Sequence, residues 1–163
     1  MEVSTEKIWE FLKEVKDPEI PAIDVVEMGV VRDIKWKNNK LCIVITPTYS
    51  SCPAMKMIET SIVQTLHSKG ILDVSIQTQL FPVWTTDWLN DSTRQKLKEY
   101  GIAPPGKEHS TDFLPFSQKL KPISCPFCNS TNTQLKSEFG STLCKSLYYC
   151  KNCQQPFEYF KCI

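Results

Sequence analysis

The sequence predicts an α+β protein: a small sheet with helices packed on one of its faces, followed by a metal-stapled β-ribbon. Three observations predict it. Apolar periodicity runs helix, strand, strand, helix, strand, helix, the order expected of one helical layer on a sheet. From 104 to 121 that periodicity stops, and Pro, Gly, Ser and charged residues take over. Beyond that stretch, Cys125-Pro126-Phe127-Cys128 and Cys150-Lys151-Asn152-Cys153 form two CxxC pairs with 21 residues between them. Each pair sets two sulfurs on a tight turn, the bite a tetrahedral zinc ion accepts, and two such turns close a four-thiolate shell. The gap is long enough for a β-hairpin. The chain therefore divides into an α+β domain over 1–103, a linker over 104–121 and a zinc ribbon over 122–163.

Each element has a local reason. Ser4 or Thr5 caps a first helix, whose apolar stripe is Ile8, Phe11, Leu12 and Val15. Asp17-Pro18-Glu19-Ile20-Pro21 stops it, because two prolines so close together cannot continue a helix. Residues 25–28 form a short extended segment ahead of Gly29. Strands over 30–36 and 41–46 flank the polar turn Lys37-Asn38-Asn39-Lys40. The loop Thr46-Pro47-Thr48-Tyr49-Ser50-Ser51 leads to Cys52-Pro53. There a second helix opens, with Met55, Ile58, Ile62 and Leu66 on one face and Gly70 past its end. A third strand alternates Val74, Ile76, Thr78 and Leu80 with polar Ser75, Gln77 and Gln79. A last helix over 91–100 stops at Gly101.

The 163 residues leave room for one modest domain and a small appendage. Six of the eight cysteines lie from Cys125 onward. A piece of about 40 residues buries too little apolar surface to fold unaided, so a metal staple fits it. Charged Glu6, Lys7, Glu10, Lys13 and Glu14 interrupt any signal pattern at the N-terminus. No apolar run approaches the roughly 20 residues needed to cross a bilayer. These features point to the cytoplasm and to no membrane partner; thiols there stay reduced, and CxxC pairs hold metal rather than disulfides. A net charge of +1 argues against a dedicated nucleic-acid binder, although the stretch 119–161 is locally lysine-rich. The absence of a glycine-rich phosphate loop leaves nucleotide binding without support.

Cys52 is the expected N-cap of the second helix, with Pro53 at the first helical position. There the helix dipole and unsatisfied N–H groups favour the thiolate, the form that binds metal or attacks an electrophile. A small, inert, packed cysteine is the competing reading, and it is the preferred one for mid-strand Cys42. His67 and His109 are both distant from Cys52 in sequence, so a Cys–His nucleophilic pair lacks support. Asp17, Glu19 and Asp24 read either as helix-terminating, solvated charges or as carboxylate companions to Cys52 for iron or docking. Trp84 and Trp88 form an exposed partner surface or else pack in the core. Tyr148, Tyr149, Phe157, Tyr159 and Phe160 read as packing over the hairpin, with an aromatic face for single-stranded nucleic acid as the competing reading. Cys144 and Cys162 read as packing beside the metal, as substitute ligands or as part of a cluster; packing is the preferred reading, because four thiolates already complete zinc's shell.

Several of these segments resemble a known family. Asp17-Pro18-Glu19-Ile20-Pro21, Glu27-Met28-Gly29-Val30-Val31 and the run from Thr46 to Ala54 resemble the signature of the small iron–sulfur assembly domain. That domain is shared by SufT and by PaaD of bacterial phenylacetate degradation. Pro82-Val83-Trp84-Thr85-Thr86-Asp87-Trp88-Leu89, Tyr100-Gly101-Ile102-Ala103-Pro104-Pro105, Phe139-Gly140-Ser141-Thr142-Leu143-Cys144-Lys145 and Pro156-Phe157-Glu158-Tyr159-Phe160-Lys161-Cys162 are similar to PaaD in particular. Ser51 stands where the family has glycine, and Met28 where it has leucine.

The resemblance implies an iron–sulfur-assembly-type domain with helices on one face of a mixed sheet, plus a C-terminal zinc ribbon. It further implies a non-catalytic accessory factor of the oxygenase that epoxidises phenylacetyl-CoA, assisting iron–sulfur cluster assembly in, or transfer to, the reductase component. The implied partners are the other epoxidase components and the iron–sulfur assembly machinery. Zinc would be structural, and Cys52 would hold iron or a cluster transiently. Asp17 and Glu19 come from the acidic loop of the same signature. Competing with this are a ribbon that binds protein or nucleic acid, and a thiol enzyme using Cys52.

Overall fold

The structure, a computed structural model, describes residues 3–49, 51–106 and 122–161. The chain forms two compact units that divide between Thr93 and Arg94.

The first unit begins with α1 (Thr5–Leu12), where the extended Ser4 accepts a hydrogen bond from the Lys7 N–H at 3.4 Å. Its stripe buries Ile8 and Leu12. β1 (Val31–Lys37) and β2 (Lys40–Ile45) pair antiparallel across Asn38 and Asn39, whose φ values of 49° and 61° make the tight turn that matches strand twist. α2 (Ala54–Ser68) then crosses over to β3 (Val74–Thr78), which pairs parallel with β2. The result is a mixed sheet in the order β1-β2-β3. Leu41, Ile43 and Ile45 of the central strand are fully buried, and α1 and α2 pack on the sheet and on each other. By register, Asp33, Lys35, Ser75 and Gln77 share the opposite, polar face. One extra residue, Arg32, bulges out of β1 between Val31 and Asp33.

The second unit takes the later part of α3 (Asp91–Glu99) and a four-stranded sheet. Its strands are β4 (Ile102–Ala103), β5 (Thr133–Ser137), β6 (Lys145–Cys150) and β7 (Pro156–Phe160), in the order β4-β7-β6-β5. β5, β6 and β7 form the antiparallel ribbon, and β4 adds in parallel, Ile102 opposite Glu158 and Ala103 opposite Tyr159. Residues 102–103, expected in the first domain, are thus a strand of the ribbon's sheet. Arg94 is buried and donates from Nη1 to the carbonyls of Pro105 and Gly106. Of the expected linker over 104–121, residues 107–121 lie outside the described residues, as do Ser50, His109 and Cys162. Among the described residues no helix is long and apolar enough to cross a membrane.

Candidate functional site

The two CxxC turns bring four sulfurs together: Cys125, Cys128, Cys150 and Cys153 lie with all Sγ atoms within 4.8 Å of one another. The knuckles are built alike. Asn129 and Gln154, each following the second cysteine of its pair, hold φ of 60° and 59° and turn the chain back. Asn129 N–H donates to the Cys125 carbonyl, and Cys150 N–H to that of Gln155, both at 2.9 Å. Sγ–Sγ distances of 3.7 Å (Cys125–Cys153) and 3.6 Å (Cys128–Cys150) match the edges of the tetrahedron. Zinc–sulfur bonds of about 2.3 Å require edges of about 3.8 Å.

The titration behaviour fits the same chemistry. The Ser130 N–H draws the Cys128 thiol down to about 6, and the Asn152 side chain donates to its sulfur as well. Burial pushes Cys153 up to about 12 and raises Cys125. One member ionises readily, while Cys125 and Cys153 give up their protons only against the charge of a bound cation. The donor set suits a tetrahedral thiophilic ion, and its closed shell leaves no position for substrate. Cys125 and Cys150 pack with Ala103 and Phe157 in the ribbon's small core. Tyr148 stacks on Phe157 at 5.8 Å and meets Tyr159 edge-on at 5.9 Å. Buried Cys144 lies outside the four-sulfur group, its sulfur 3.0 Å from the Thr142 hydroxyl.

Cys52 is a free, half-buried cysteine just ahead of α2. The assigned helix starts at Ala54, with Pro53 in the cap position, one residue later than the sequence predicts. Pro53 is already helical (φ −67°, ψ −24°), and the Met55 N–H donates to the Cys52 carbonyl at 3.2 Å, so the turn itself opens at Cys52. His67 is exposed in the last turn of α2, 15 residues of helix away. At about 1.5 Å per residue this separates it from Cys52 by roughly 20 Å, too far for a nucleophile–base pair. Cys42 is buried in β2, its thiol 3.8 Å from Gln77 Oε1.

The acidic loop is built by its own carboxylates. Asp17 is buried, and its Oδ1 accepts from the N–H groups of Glu19 and Ile20 at 2.8 and 2.9 Å. Glu19 is half-buried. Asp24 Oδ1 accepts from Val26 and Glu27, while Glu27 Oε2 accepts from Asp24 N–H, a reciprocal cap on the next turn. Burial raises the Asp24 carboxyl above its ordinary value, and the nearby Glu27 adds to the shift.

The tryptophans divide. Trp84 is 1 % exposed and donates its Nε1–H to the Met28 carbonyl, so it offers no free face; its ring is satisfied inside the first unit. Trp88 is half-buried and carries the Arg32 guanidinium 3.7 Å above its ring. Sequence reasoning missed the left-handed Gln154, for which glutamine gives no signal, and the burial of Lys145, an ordinary surface residue by type.

Comparison with known proteins places both halves. Residues 5–77 match the family model described as iron–sulfur cluster assembly protein, and residues 114–161 match the PaaD zinc beta ribbon domain. The chain is 42 % identical over 157 residues to a protein of Escherichia coli (strain K12) named as a component of 1,2-phenylacetyl-CoA epoxidase. That alignment covers 96 % of this chain and 92 % of the relative. A conserved hypothetical protein of Thermotoga maritima superposes with a TM-score of 0.50 at 28 % identity, covering 59 % of this chain and 95 % of that one. A DUF59 domain from Bacillus anthracis, at 24 % identity, shares the fold with a TM-score of 0.52 over 56 % of this chain and 89 % of its own. The chain belongs to the PaaD family, an iron–sulfur-assembly-type α+β domain joined to a four-cysteine zinc ribbon.

Proposed function

We propose that this protein is a cytoplasmic accessory factor that matures the phenylacetyl-CoA epoxidase system by handing iron or an iron–sulfur cluster to its reductase component. Cys52 carries this reading: a free cysteine, half-buried ahead of α2, within the segment matched to iron–sulfur cluster assembly. A cysteine that is neither paired in a disulfide nor part of the four-sulfur group suits a ligand that is exchanged rather than kept. When iron is taken up, the Cys52 thiol loses its proton to solvent as the iron–sulfur bond forms. Delivery swaps that bond for one to a client cysteine and requires no electron transfer. Asp17 shapes the acidic loop of the same domain through its two backbone hydrogen bonds, and Glu19 adds a second carboxylate to that loop. The ribbon holds zinc as a structural ion; its saturated shell makes it a docking module and not a reaction centre.

The deciding experiment replaces Cys52 by serine in cells that express the epoxidase components. The expected result is a folded, zinc-loaded variant and a reductase of reduced iron content and activity. Normal cluster content in the reductase would refute the reading. Zinc in the ribbon predicts a colourless anaerobic preparation, whereas ferric iron in the same thiolates would redden it.

A further inference from the structure

The tryptophan loop belongs to neither metal-handling element, yet it is anchored to the turn that joins the acidic loop to the Cys52 loop. Trp84 donates its Nε1–H to the Met28 carbonyl at 2.8 Å, a contact spanning 56 residues of sequence. Next to Met28, Gly29 sits at φ 75°, and a Cβ there would lie 3.5–3.7 Å from Trp84 and Trp88, so both indoles rest directly on this backbone. Trp88 meets Trp84 edge-on, with ring centroids 6.5 Å apart. The β1 bulge aims Arg32 onto the free face of Trp88.

The turn held in this way is closed by its own hydrogen bonds: Met28 N–H to Asp24, Gly29 N–H to Val26, and Val30 and Val31 N–H to Val25. One end is tied to the acidic loop, where Val25 N–H donates to the Val15 carbonyl and Asp17 N–H to that of Ile23. At the other end, the Val30 carbonyl accepts from Thr46 N–H at 2.8 Å, and Thr46 is the first residue of the segment that runs to Cys52.

We infer that Trp84 is a positioning residue for Cys52: through the Met28 carbonyl it braces the 24–31 turn, and through Val30 the root of the Cys52 loop. The inference rests on the reading of Cys52 as the working residue, but its test needs no client. Without the indole donor, the Met28 carbonyl loses a buried partner and the turn opens more often.

The test places benzothienylalanine at position 84, which keeps the bicyclic ring and replaces its N–H by a sulfur that cannot donate, alongside Trp84→Phe. Alkylation of Cys52 by iodoacetamide is followed by peptide-resolved mass spectrometry on the zinc-loaded full chain. Exchange of the Thr46 and Ile43 amides is measured in parallel. The expected result is a Cys52 rate about fivefold faster in the isostere, the factor for one buried hydrogen bond no longer opposing local opening. Thr46 should exchange faster and Ile43, in the middle of β2, should not; a merely global loss of stability would accelerate both. A Cys52 rate within about twofold of wild type overturns the inference, since one lost buried hydrogen bond predicts more. Should Trp84→Phe fail to fold, the isostere decides. The two readings separate cleanly: normal client clusters with Cys52→Ser refute the maturation role alone, and unchanged Cys52 alkylation refutes the bracing role alone.

Discussion

The two units of this chain solve the problem of staying folded in opposite ways. The first buries a core of branched aliphatic side chains: Leu41, Ile43 and Ile45 of β2 and Ile58, Ile62 and Leu66 of α2 are all sealed from solvent. The ribbon's central cluster is Ala103, Cys125, Cys150 and Phe157, half of it metal thiols. At roughly 25 cal/mol per Å² of buried apolar surface, so small a cluster cannot offset the ordering of the ribbon's backbone. The metal is therefore the ribbon's core, while the first unit needs none.

Stripping the metal tests that contrast most strongly. A structural zinc ion contributes on the order of 10–16 kcal/mol of apparent binding free energy, which in small modules is folding free energy. Chelation, or Cys150→Ser, should abolish amide protection in β5, β6 and β7. In calorimetry the ribbon's share of the unfolding heat should vanish while the first unit melts as before. Retention of ribbon protection without metal would show that its aromatic packing suffices. Acid should act in the same direction, because protons compete with the metal for the thiolates.

Within the ribbon an ion pair between a buried lysine and a half-buried glutamate supplements the metal. Lys145 is 2 % exposed and reaches Glu158 Oε2 at 2.9 Å, while Glu158 Oε1 accepts from Ser141 N–H at 2.6 Å. Gly140 leaves the room: a Cβ there would come within 2.6 Å of Glu158 Oε1. Lys145→Met leaves the half-buried carboxylate without its cation and should cost the ribbon about 2 kcal/mol in urea unfolding, the scale of a hydrogen bond to a charged group. Adding Glu158→Gln should recover most of the loss, since its amide oxygen still accepts from Ser141. An unchanged midpoint for Lys145→Met would mean that the pair contributes specificity alone.

The contrast between the units also separates what the sequence made legible from what it hid. Alternation announced β3, a 3.6-residue repeat α2 and a continuous run of branched apolar residues β2, and the paired CxxC turns announced the metal centre, because all of these signals are local. Trp84 was not assignable. Its burial depends on the Met28 carbonyl far away in the chain, and an isolated tryptophan reads equally as surface or core. β4 escaped because a two-residue parallel pairing has no period of its own. Asp17 and Asp24 resembled solvated loop charges, since a carboxylate that caps backbone N–H groups has the same sequence as one that faces water. Lys145 hid for the matching reason: lysine announces solvent until a specific carboxylate meets it.

The smallest expected effect sharpens the comparison through two carboxylates, one buried and one half-buried, that shift in opposite directions. Burial alone would raise Glu158, yet the Ser141 N–H and Lys145 hold it below its ordinary value. Its stabilising contribution is present above the ordinary carboxylate range and disappears as pH falls through the folded value. Asp24 is raised, because burial outweighs the backbone donors, and Lys16 approaches only to 3.8 Å from a half-exposed position. The sign is then reversed. Above 3.8 the unfolded chain releases its proton before the native one does, so stability declines as pH rises through that window. Asp24→Asn keeps the oxygen that accepts from Val26 and Glu27 and removes the charge. It should stabilise the first unit by less than about 1 kcal/mol at neutral pH, with the difference closing in acid where wild-type Asp24 is neutral as well. A neutral-pH loss of more than about 1 kcal/mol would instead assign the stability to the Lys16–Asp24 attraction. The first unit would then depend on a charge pair much as the ribbon does.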